Sequence, residues 1–461
     1  MKVSRSIFRA YDIRGVVGRD LSSESIYLIG LALGEILSQR KVHICGLGRD
    51  MRDSSLEFSR TFKSALQERN IVVKDYGEIP TPVLYFGAFS QEGQTGVMIT
   101  GSHNPPEYNG LKIMIKALPF WGDDLQLLYK RIESSDVCFK TTNTMKNHDN
   151  TSIIDHYKNA VMAKQNLNRP LRVGLDAGNG IAGPIASSIY EAMGCEVFNL
   201  FCEPDGSFPN HHPDPADPKN LEDLIELVRC KKLDLGIAFD GDGDRLGVVD
   251  SDSNIIWPDR QMMIFSRNVL EENPGASIIY DVKCSRNLHK WIIDHGGCPI
   301  MWKTGHSFMK SKLKETGAFL AGEMSGHIFF NDNWFGFDDA IYAGARLLSI
   351  LADEDDITHF FRELPDSFCT PEIKLEIKGF SADNLLNKLK NKKLFPRATN
   401  FYFLDGVRIE YEDGFGLARL SNTTPVIVFR FEGDSKVALE SIKEDFRNSL
   451  ITIMKNIALP F

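Results

Sequence analysis

Residues 235–245 read LGIAFDGDGDR, an apolar run followed directly by three aspartates that alternate with glycine. The apolar run Leu235–Phe239 predicts a buried strand. Asp240, Asp242 and Asp244 repel one another at this spacing unless a cation offsets their charge. In open α/β sheets, ligands bind at the carboxyl ends of the strands. The segment therefore predicts an α/β fold with a metal site at this strand end.

The ligands of this predicted metal site restrict the metal. Carboxylate oxygens are hard donors, which suit magnesium or calcium. A calcium loop of the EF-hand type does not fit, because its sixth position would be Arg245 instead of glycine and its twelfth Ser251 instead of glutamate. An acidic turn in solvent, without an ion, remains the alternative from this segment alone.

Helical and strand-like patterns alternate on both sides of this segment, and the alternation restarts twice. Such alternation predicts βαβ units and mostly parallel sheets. The predicted helices are Ile26–Leu37, Ser54–Arg69, Ile181–Met193, Leu221–Val228, Arg286–His295, Ser307–Glu315 and Asp338–Leu351. The predicted strands are Val42–Leu47, Ile71–Val73, Val97–Thr100, Leu171–Asp176, Glu196–Phe201, Leu235–Phe239, Ser277–Asp281 and Pro299–Trp302.

The C-terminal part has a different pattern. Strand-like runs at Phe401–Leu404, Val407–Tyr411, Gly416–Leu420 and Val426–Phe431 follow one another through short turns, and a final helix starts near Ser435. Short turns between strands predict an antiparallel sheet. We therefore predict three α/β domains, residues 1–148, 149–251 and 252–364, and a smaller α+β domain, residues 365–461.

Length and charge exclude several classes of protein. The chain has 461 residues, 43% hydrophobic and 25% charged, with a formal net charge of −9. This balance is that of a globular protein with several cores, so disorder, collagen and coiled coil do not fit. The acidic balance argues against a protein that binds duplex DNA and against a polybasic membrane-surface protein. We expect neither a nucleic-acid nor a membrane partner.

The N-terminal segment and the cysteines predict a cytoplasmic location. The first residues carry arginine and aspartate where a signal peptide needs an apolar run. Eight cysteines are scattered without a CxxC pair or a zinc-type cluster. Reduced thiols in the cytoplasm are therefore expected.

The second motif is Thr100-Gly101-Ser102-His103-Asn104-Pro105, which follows the predicted strand Val97–Thr100. A serine on a glycine-containing loop at a strand end is a candidate nucleophile that needs activation by a base or a metal. The chain has no G-x-S-x-G elbow here, so an α/β-hydrolase triad is unsupported. Lys112 is near enough in sequence to reach the same loop. A serine that merely caps a turn is the alternative.

Two further motifs indicate binding of a phosphorylated polyol. Gly322-Glu323-Met324-Ser325-Gly326-His327 places short polar side chains between glycines, which suits hydrogen bonds to hydroxyl groups. Arg419-Leu420-Ser421-Asn422-Thr423-Thr424-Pro425 combines a guanidinium, hydroxyls and an amide, as a phosphate cradle does. An ordinary turn and a hairpin with a surface arginine are the respective alternatives.

A fifth motif resembles a different kind of binding site. Residues 178–183, GNGIAG, match G-x-G-x-x-G between a predicted strand and helix, and Glu203 follows at a suitable distance. This pattern is close to a dinucleotide-binding fingerprint. An NAD-dependent dehydrogenase would leave the aspartate, serine and arginine motifs without roles, so we interpret these glycines as tight strand-to-helix packing.

Together with Phe8-Arg9-Ala10-Tyr11-Asp12-Ile13-Arg14-Gly15, the four motifs resemble the α-D-phosphohexomutase family, most closely its bacterial phosphomannomutase/phosphoglucomutase members. The resemblance spans essentially the whole chain. It implies three similar mixed α/β/α sandwich domains and a smaller, mobile C-terminal α+β domain around a central cleft. It implies a monomer that needs only small-molecule sugar phosphates as partners.

The resemblance also implies the roles of individual residues. Ser102 is the expected phosphoserine, and it joins Asp240, Asp242 and Asp244 as a magnesium ligand. Arg14, His103 and Arg245 are expected beside the phosphoserine, and Lys112 and His327 are the candidate proton-transfer groups. The expected substrate contacts are Tyr11, Lys283, His306, Glu323, Ser325, His327, Arg419, Ser421, Asn422 and Thr423.

The expected reaction interconverts hexose 1-phosphate and hexose 6-phosphate of mannose, glucose or both. It would pass through a hexose 1,6-bisphosphate, which also serves as activator. Phosphoglucosamine mutase is the nearest alternative, but Met324 and Asn422 differ from the glutamine and glycine expected there. Phosphomutases with an aspartyl-phosphate are a further class. In that class Ser102 would have no role. The DxD motif of that class lies near the N-terminus, whereas the aspartate motif of this chain is central.

Overall fold

Four β-sheets follow one another along the part of the chain that the computed structural model describes, residues 3–134, 151–377, 380–421, 426–455 and 457–461. Each sheet, with the helices that pack on it, is called a unit here, numbered I to IV in chain order. The boundaries predicted above for the four domains stay predictions.

Unit I holds a six-stranded mixed sheet in the order β1-β5-β4-β2-β3, with β6 paired to β5. Its first helix begins after Ser22, whose hydroxyl accepts the N–H of Ser25 in a capping box. The elements are β1 Ile13–Val16, α1 Ser23–Gln39, β2 Ile44–Arg49, α2 Asp53–Glu68, β3 Val72–Glu78, α3 Thr81–Phe89, β4 Gly96–Ile99, β5 Tyr108–Ile115, β6 Leu118–Pro119 and α4 Asp123–Glu133.

Units II and III each hold a four-stranded mixed sheet. In unit II the elements are α5 Thr151–Met162, β7 Arg172–Asp176, α6 Gly183–Met193, β8 Glu196–Leu200, α7 Glu222–Lys231, β9 Leu235–Phe239 and β10 Leu246–Asp250. In unit III they are α8 Pro258–Glu272, β11 Ser277–Asp281, α9 Arg286–Asp294, β12 Cys298–Trp302, α10 His306–Thr316, β13 Leu320–Gly322, β14 Ile328–Phe330, α11 Ala340–Ala352 and α12 Ile357–Glu363.

Unit IV holds an antiparallel sheet with helices, as the short turns predicted. The final helix begins after Ser435, whose hydroxyl accepts the N–H of Ala438. The elements are β15 Phe368–Cys369, β16 Ile373–Glu376, α13 Ala382–Leu389, β17 Asn400–Tyr402, β18 Val407–Tyr411, β19 Gly414–Leu420, β20 Val426–Gly433 and α14 Lys436–Ile453.

Units I, II and III share one four-stranded arrangement: β3-β2-β4-β5, β8-β7-β9-β10 and β12-β11-β13-β14. In each, one strand pairs in parallel with two neighbours, and the last strand pairs antiparallel. The shared arrangement is therefore mixed: two of its three strand pairings are parallel, as the alternation predicted, and the last is antiparallel. The reason is that the last two strands are joined by a short connection, which brings a chain back antiparallel.

These equivalent short connections carry the motifs. The β4–β5 connection contains Ser102, the β9–β10 connection is Asp240–Arg245, and the β13–β14 connection contains Glu323 and His327. One hydrophobic cluster extends through units I, II and III, whereas unit IV has its own core around Phe429 and Phe446. The continuous core fixes the three motif-bearing connections relative to one another.

Two features of the described residues bear on the sequence predictions. None of their helices has both the length and the apolar character needed to cross a bilayer. The seven cysteines that they include are free thiols, and Cys138 lies outside them.

Candidate active site

The aspartate loop is folded around the side chain of its first residue. Asp240 follows β9 and is fully buried, and its Oδ1 accepts the backbone N–H groups of Gly243, Asp244 and Arg245 at 3.1, 3.1 and 3.2 Å. A carboxylate that binds three backbone donors holds a loop in one conformation. The other oxygen, Oδ2, is thereby left facing the rest of the site.

The three aspartates form a buried cluster together with Lys112. The ligand atoms of Asp240, Asp242 and Asp244 all lie within 4.8 Å of one another. The Lys112 Nζ, from β5 of unit I, donates to Asp242 Oδ2 at 2.6 Å and to Asp244 Oδ2 at 2.5 Å. Thr81 donates to Asp242 Oδ2 at 2.6 Å. Units I and II therefore share this cluster.

The donor set fits a hard divalent cation. Within the described residues, Asp242 Oδ1 is buried without a hydrogen-bond partner, and Asp244 Oδ1 has only His327 Nε2 near it, at 3.4 Å. A buried carboxylate oxygen without a donor is costly, and a bound cation removes that cost. The buried cluster is consistent with a metal site that uses these oxygens and Asp240 Oδ2.

The pKa values in the cluster show how its charge is balanced. Burial, then Asp244 and Asp242, raises the pKa of Asp240 well above its usual range. Burial would also raise the pKa of Asp244, but Lys112 and His327 hold it well below. Burial would lower the pKa of Lys112, yet Asp242 and Asp244 outweigh it and the pKa is raised. Lys112 is therefore an ammonium ion that holds its proton tightly and cannot accept another.

Ser102 lies at the edge of this cluster. Its Oγ is 3.0 Å from Asp240 Oδ2 and 3.2 Å from the Nδ1 of His103, and the residue is buried. The backbone of Ser102 has φ +50°, a left-handed conformation that is uncommon outside glycine. The serine and aspartate motifs, 138 residues apart in sequence, thus meet at one hydrogen bond.

Arg14 contacts the serine loop, and His103 is the residue that follows Ser102. The Arg14 Nη2 donates to Asp12 Oδ2 at 2.6 Å, and its Nη1 donates to Asn104 Oδ1 in the serine loop. Burial, then the charges of Arg245 and Arg14, lowers the pKa of His103 well below its usual value. His103 is therefore a neutral imidazole.

The third motif, in unit III, contacts the aspartate cluster through His327. The His327 Nε2 lies 3.4 Å from Asp244 Oδ1, and its Nδ1 lies 2.8 Å from Ser325 Oγ and 3.2 Å from Glu323 Oε2. Burial would lower the pKa of His327, but Asp244 and Glu323 raise it to about 9. The Arg245 Nε faces His327 Nε2 at 3.4 Å. Predicted residues from units I, II and III therefore form one contiguous group.

The fourth motif, in unit IV, is linked to the other units through the backbone N–H and carbonyl of Thr304. Asp405 Oδ2 accepts the Thr304 N–H at 3.1 Å and the Arg419 Nε–H at 2.9 Å, and the Tyr11 hydroxyl donates to the Thr304 carbonyl at 2.8 Å. Units I, III and IV therefore meet at this peptide. The Tyr11 ring also lies edge-on to His306, at 5.9 Å between centroids.

The remaining predicted substrate contacts lie near this junction. The Lys283 Nζ donates to Glu372 Oε1 at 2.8 Å, and Glu323 accepts the Gly305 N–H at 2.5 Å. His306 stacks on His327 at 5.6 Å between ring centroids. Ser421 is at the end of β19 and its N–H donates to Val426. Asn422 and Thr423 lie outside the described residues.

Several residues of the site were not predicted. Thr81 contacts Asp242, Asp214 lies 3.5 Å from the Arg245 guanidinium, and Asp338 lies 3.5 Å from His306. Arg52 binds the backbone of the serine loop. Its position becomes informative only once the strand order is known, because β2 and β4 are parallel neighbours and Asp50-Met51-Arg52 follows β2 at the edge where Ser102 follows β4.

The glycines of the dinucleotide-like motif are used for packing. A Cβ on Gly183 would lie 2.4 Å from the carbonyl oxygen of Cys202, and one on Gly180 would lie 3.0 Å from the backbone of Gly241. The Ile181 N–H donates to the Gly241 carbonyl at 3.1 Å. The glycines of this motif therefore pack tightly against neighbouring backbone, as the sequence analysis predicted. The motif also supports the aspartate loop through its contacts with Gly241.

Comparison with known proteins agrees with this geometry. Family models described as phosphoglucomutase/phosphomannomutase alpha/beta/alpha domains I, II and III match residues 5–137, 152–253 and 257–368, and the model of the C-terminal domain matches residues 374–449. The chain belongs to the phosphoglucomutase/phosphomannomutase family. It is accordingly a phosphohexomutase, an enzyme of the isomerase class, and the predictions of family, fold class and enzyme class are confirmed.

Relatives in this family match over nearly the whole chain. A phosphomannomutase/phosphoglucomutase of Pseudomonas aeruginosa is 48% identical over 99% of this chain and 98% of its own length. A phosphoglucomutase of Neisseria meningitidis is 47% identical over 96% of both chains. The crystal structure of a Burkholderia thailandensis phosphoglucomutase/phosphomannomutase family protein superposes with a TM-score of 0.93, at 47% identity and full coverage of both chains.

Proposed function

We propose that this chain interconverts the 1-phosphate and 6-phosphate of mannose and glucose by way of a phosphoserine at Ser102. In the first half-reaction, the phosphoryl group leaves Ser102 Oγ and joins a free hydroxyl of the hexose monophosphate, giving a hexose 1,6-bisphosphate. In the second, the other phosphoryl group returns to Ser102. The observation that carries this proposal is the 3.0 Å contact of Ser102 Oγ with the buried aspartate cluster.

The aspartate cluster supports magnesium as the metal of this reaction. Asp240, Asp242 and Asp244, joined by an oxygen of the phosphorylated Ser102, would hold the ion. When bound, magnesium neutralises charge that develops on the transferring phosphoryl group. Lys112 holds two of the aspartates in place as an ammonium ion and adds a positive charge of its own.

The chain's own residues position the phosphoryl group and balance its charge. The charges of Arg14 and Arg245 are close enough to His103 to lower its pKa, and the His103 Nδ1 lies 3.2 Å from Ser102 Oγ. In each transfer the P–O bond to one oxygen breaks as the P–O bond to the other forms, so positioning and charge neutralisation provide most of the rate. In each transfer the attacking hydroxyl gives up a proton and the departing oxygen gains one. Lys112 and His327 are the proposed proton-transfer groups, and His327, whose pKa is about 9, is the more acidic of the two.

The other end of the substrate is held at the junction of units III and IV. Glu323 and Ser325 are proposed to bind sugar hydroxyls, and Tyr11 and His306 border the same space. The groups proposed to bind the phosphate that does not react are Lys283, Arg419, Ser421, Asn422 and Thr423. Because mannose and glucose differ at C2, activity on both requires that binding depends little on that hydroxyl.

Steady-state activity tests the proposal directly. The protein is incubated with glucose 1-phosphate or mannose 1-phosphate, magnesium and a trace of the corresponding 1,6-bisphosphate, and the 6-phosphate is measured. We expect turnover of both sugars and none by Ser102→Ala. Thr100→Ser is the matched control, since it keeps the hydroxyl that accepts the Ser102 N–H. Absence of turnover on both sugars by the wild-type protein would reject the proposal.

The oligomeric state and the cellular location are also part of the proposal. Every group that we assign to the site lies on a single chain, so a monomer suffices for catalysis. A specific activity that is independent of enzyme concentration would support the monomer, and a loss on dilution would contradict it. The cytoplasm, where sugar phosphates are retained, is the proposed location.

A further inference from the structure

Arg52 has a set of contacts that the reaction as described does not use. Its side chain is 1% exposed, and all of its guanidinium nitrogens are hydrogen-bonded. The Nη2 donates to the carbonyls of Ser102 and Asn104 at 2.8 and 2.6 Å. The Nη1 donates to the carbonyls of Pro105 and Tyr108 at 2.6 and 3.0 Å. One side chain thus binds four carbonyls of the loop that bears the proposed phosphoserine.

Asp50 completes this arrangement. Its Oδ2 accepts both the Arg52 Nε–H and the backbone N–H of Gly101, each at 3.1 Å, and its Oδ1 accepts the hydroxyl of Ser55. The residue before Ser102 is therefore fixed by the carboxylate, and the residues from Ser102 onwards are fixed by the guanidinium. A planar guanidinium with five donors can bind several acceptors at once, which an ammonium cannot do with the same geometry.

The loop needs such support because of its backbone conformation. Ser102 has φ +50°, and a non-glycine residue stays in this region only where its surroundings determine it. The carbonyl of Ser102 is enclosed on both sides: Arg52 donates to it, and a Cβ on Gly241 would lie 2.4 Å from its oxygen. Gly101 leaves no space either, since a Cβ there would lie 2.5 Å from the Arg52 Cζ.

Unit II covers the guanidinium. The Phe208 ring lies 4.9 Å from the Arg52 Cζ, and a Cβ on Gly206 would lie 2.7 Å from the Arg52 Cα. Arg52 is therefore buried at the seam between units I and II, where the serine loop meets the aspartate loop. The hydrogen-bond partners of its guanidinium are Asp50 and backbone carbonyls.

We propose that Arg52 is a positioning residue for phosphoryl transfer, which fixes the serine loop so that Ser102 Oγ remains within reach of the aspartate cluster. The proposal rests on the proposed function. A shift of about 1 Å at a reacting atom can reduce the rate about 100-fold. Among the described residues, none of the groups of units III and IV that are proposed to bind the substrate contacts Arg52, so substrate affinity is expected to stay unchanged.

The test compares Arg52→Lys with wild type in single-turnover and steady-state experiments. Phosphorylated enzyme is mixed with excess glucose 1-phosphate, quenched, and the phosphoserine remaining is measured by intact mass. We expect the transfer rate and kcat to fall about 100-fold while KM is unchanged. Arg346→Lys is the matched control, because Arg346 is a buried arginine of unit III bound to Asn268 and Asp332. It is expected to lower Tm without changing the transfer rate.

Gly101→Ala provides a second perturbation that removes no polar group. Its Cβ would displace the guanidinium from the opposite side, and we expect the same selective loss of kcat. A wild-type transfer rate in folded Arg52→Lys would overturn the role of Arg52, and if that variant does not fold, a wild-type rate in Gly101→Ala would do so. A wild-type enzyme that neither carries phosphoserine nor turns over would instead reject the proposed function, and this inference with it.

Discussion

Gly241 is a residue of the aspartate loop that packs tightly against the serine loop. A Cβ added to Gly241 would lie 2.4 Å from the carbonyl oxygen of Ser102, closer than two such atoms can approach. We predict that Gly241→Ala separates the two loops and lowers kcat about 100-fold. Gly174→Ala is the control, because its Cβ would meet only flexible leucine side chains at 3.1 Å or more. Equal activity of both variants would contradict this reading.

Asp339 is a buried carboxyl group whose charge depends on pH. Burial raises its pKa to about 7, although the N–H of Tyr342, the Tyr157 hydroxyl and the Trp334 indole donate to it. Since the folded pKa lies above the unfolded value, the stability that this group contributes is complete below about pH 4 and is lost as pH rises through 7.

The substitution Asp339→Asn therefore gives a pH-dependent prediction. The variant keeps the shape but cannot ionise, so the Tm of wild type relative to the variant should fall between pH 5 and pH 8. Ser349→Ala, an exposed change on the same helix, is the control and should show no such trend. A Tm difference that is constant over this range would show that Asp339 does not titrate there.

At the scale of elements, β18 and β20 hold unit IV against the segment of unit III that carries Lys283. The Arg408 Nη1 donates to the carbonyls of Val282 and Cys284 at 2.6 and 2.7 Å, and Arg430 donates to the carbonyl of Lys283 at 2.6 Å. Three consecutive carbonyls of unit III are thus bound by two buried arginines of unit IV.

These hydrogen bonds of Arg408 and Arg430, called the carbonyl clamp here, predict an effect on substrate binding. Arg408→Met leaves two buried carbonyls without donors, at roughly 1–3 kcal/mol each, and loosens the segment that bears Lys283. We expect KM for hexose 1-phosphate to rise about 10-fold, with a smaller change in the single-turnover transfer rate. Arg397→Ala, which removes an ion pair with Asp445 at the surface of unit IV, should leave KM unchanged. An unchanged KM in folded Arg408→Met would contradict the role of this clamp.

Elements with clear periodicity were predicted, and those that depend on distant partners were not. The strand Leu235–Phe239 was predicted with its observed bounds, because five consecutive buried residues need no partner to be recognised. Strand β5 was missed, because Lys112 interrupts its apolar pattern. That lysine is tolerated in a buried strand only because Asp242 and Asp244 of another unit neutralise it.

The same distinction applies to the site. Motifs that combine unusual side chains at short spacing, such as the three aspartates, could be read from sequence. Arg52 could not be assigned from its side chain, because its partners are mostly carbonyls that every sequence provides. The antiparallel strands β13 and β14 are only three residues long, too short for a periodic signal, although they hold the motif with Glu323 and His327.

At the scale of the whole molecule, three repeats of one sheet arrangement place one motif each around a common site. The chain carries a net charge of −9, whereas Arg14, Lys112, Arg245, Lys283 and Arg419 gather at this site. Positive groups around a candidate metal site favour the binding of a small dianion inside an otherwise acidic protein. The overall charge therefore does not oppose an anionic substrate.

The central claim is that Ser102 carries the phosphoryl group between the two hydroxyls of the sugar. The most direct measurement incubates the protein with glucose 1,6-bisphosphate and magnesium, maps the phosphorylated residue by mass spectrometry, and then follows its loss after glucose 1-phosphate is added. The account predicts one phosphoryl group on Ser102, lost at least as fast as the enzyme turns over. Turnover without a phosphoryl group on Ser102, or with one on an aspartate instead, would contradict it.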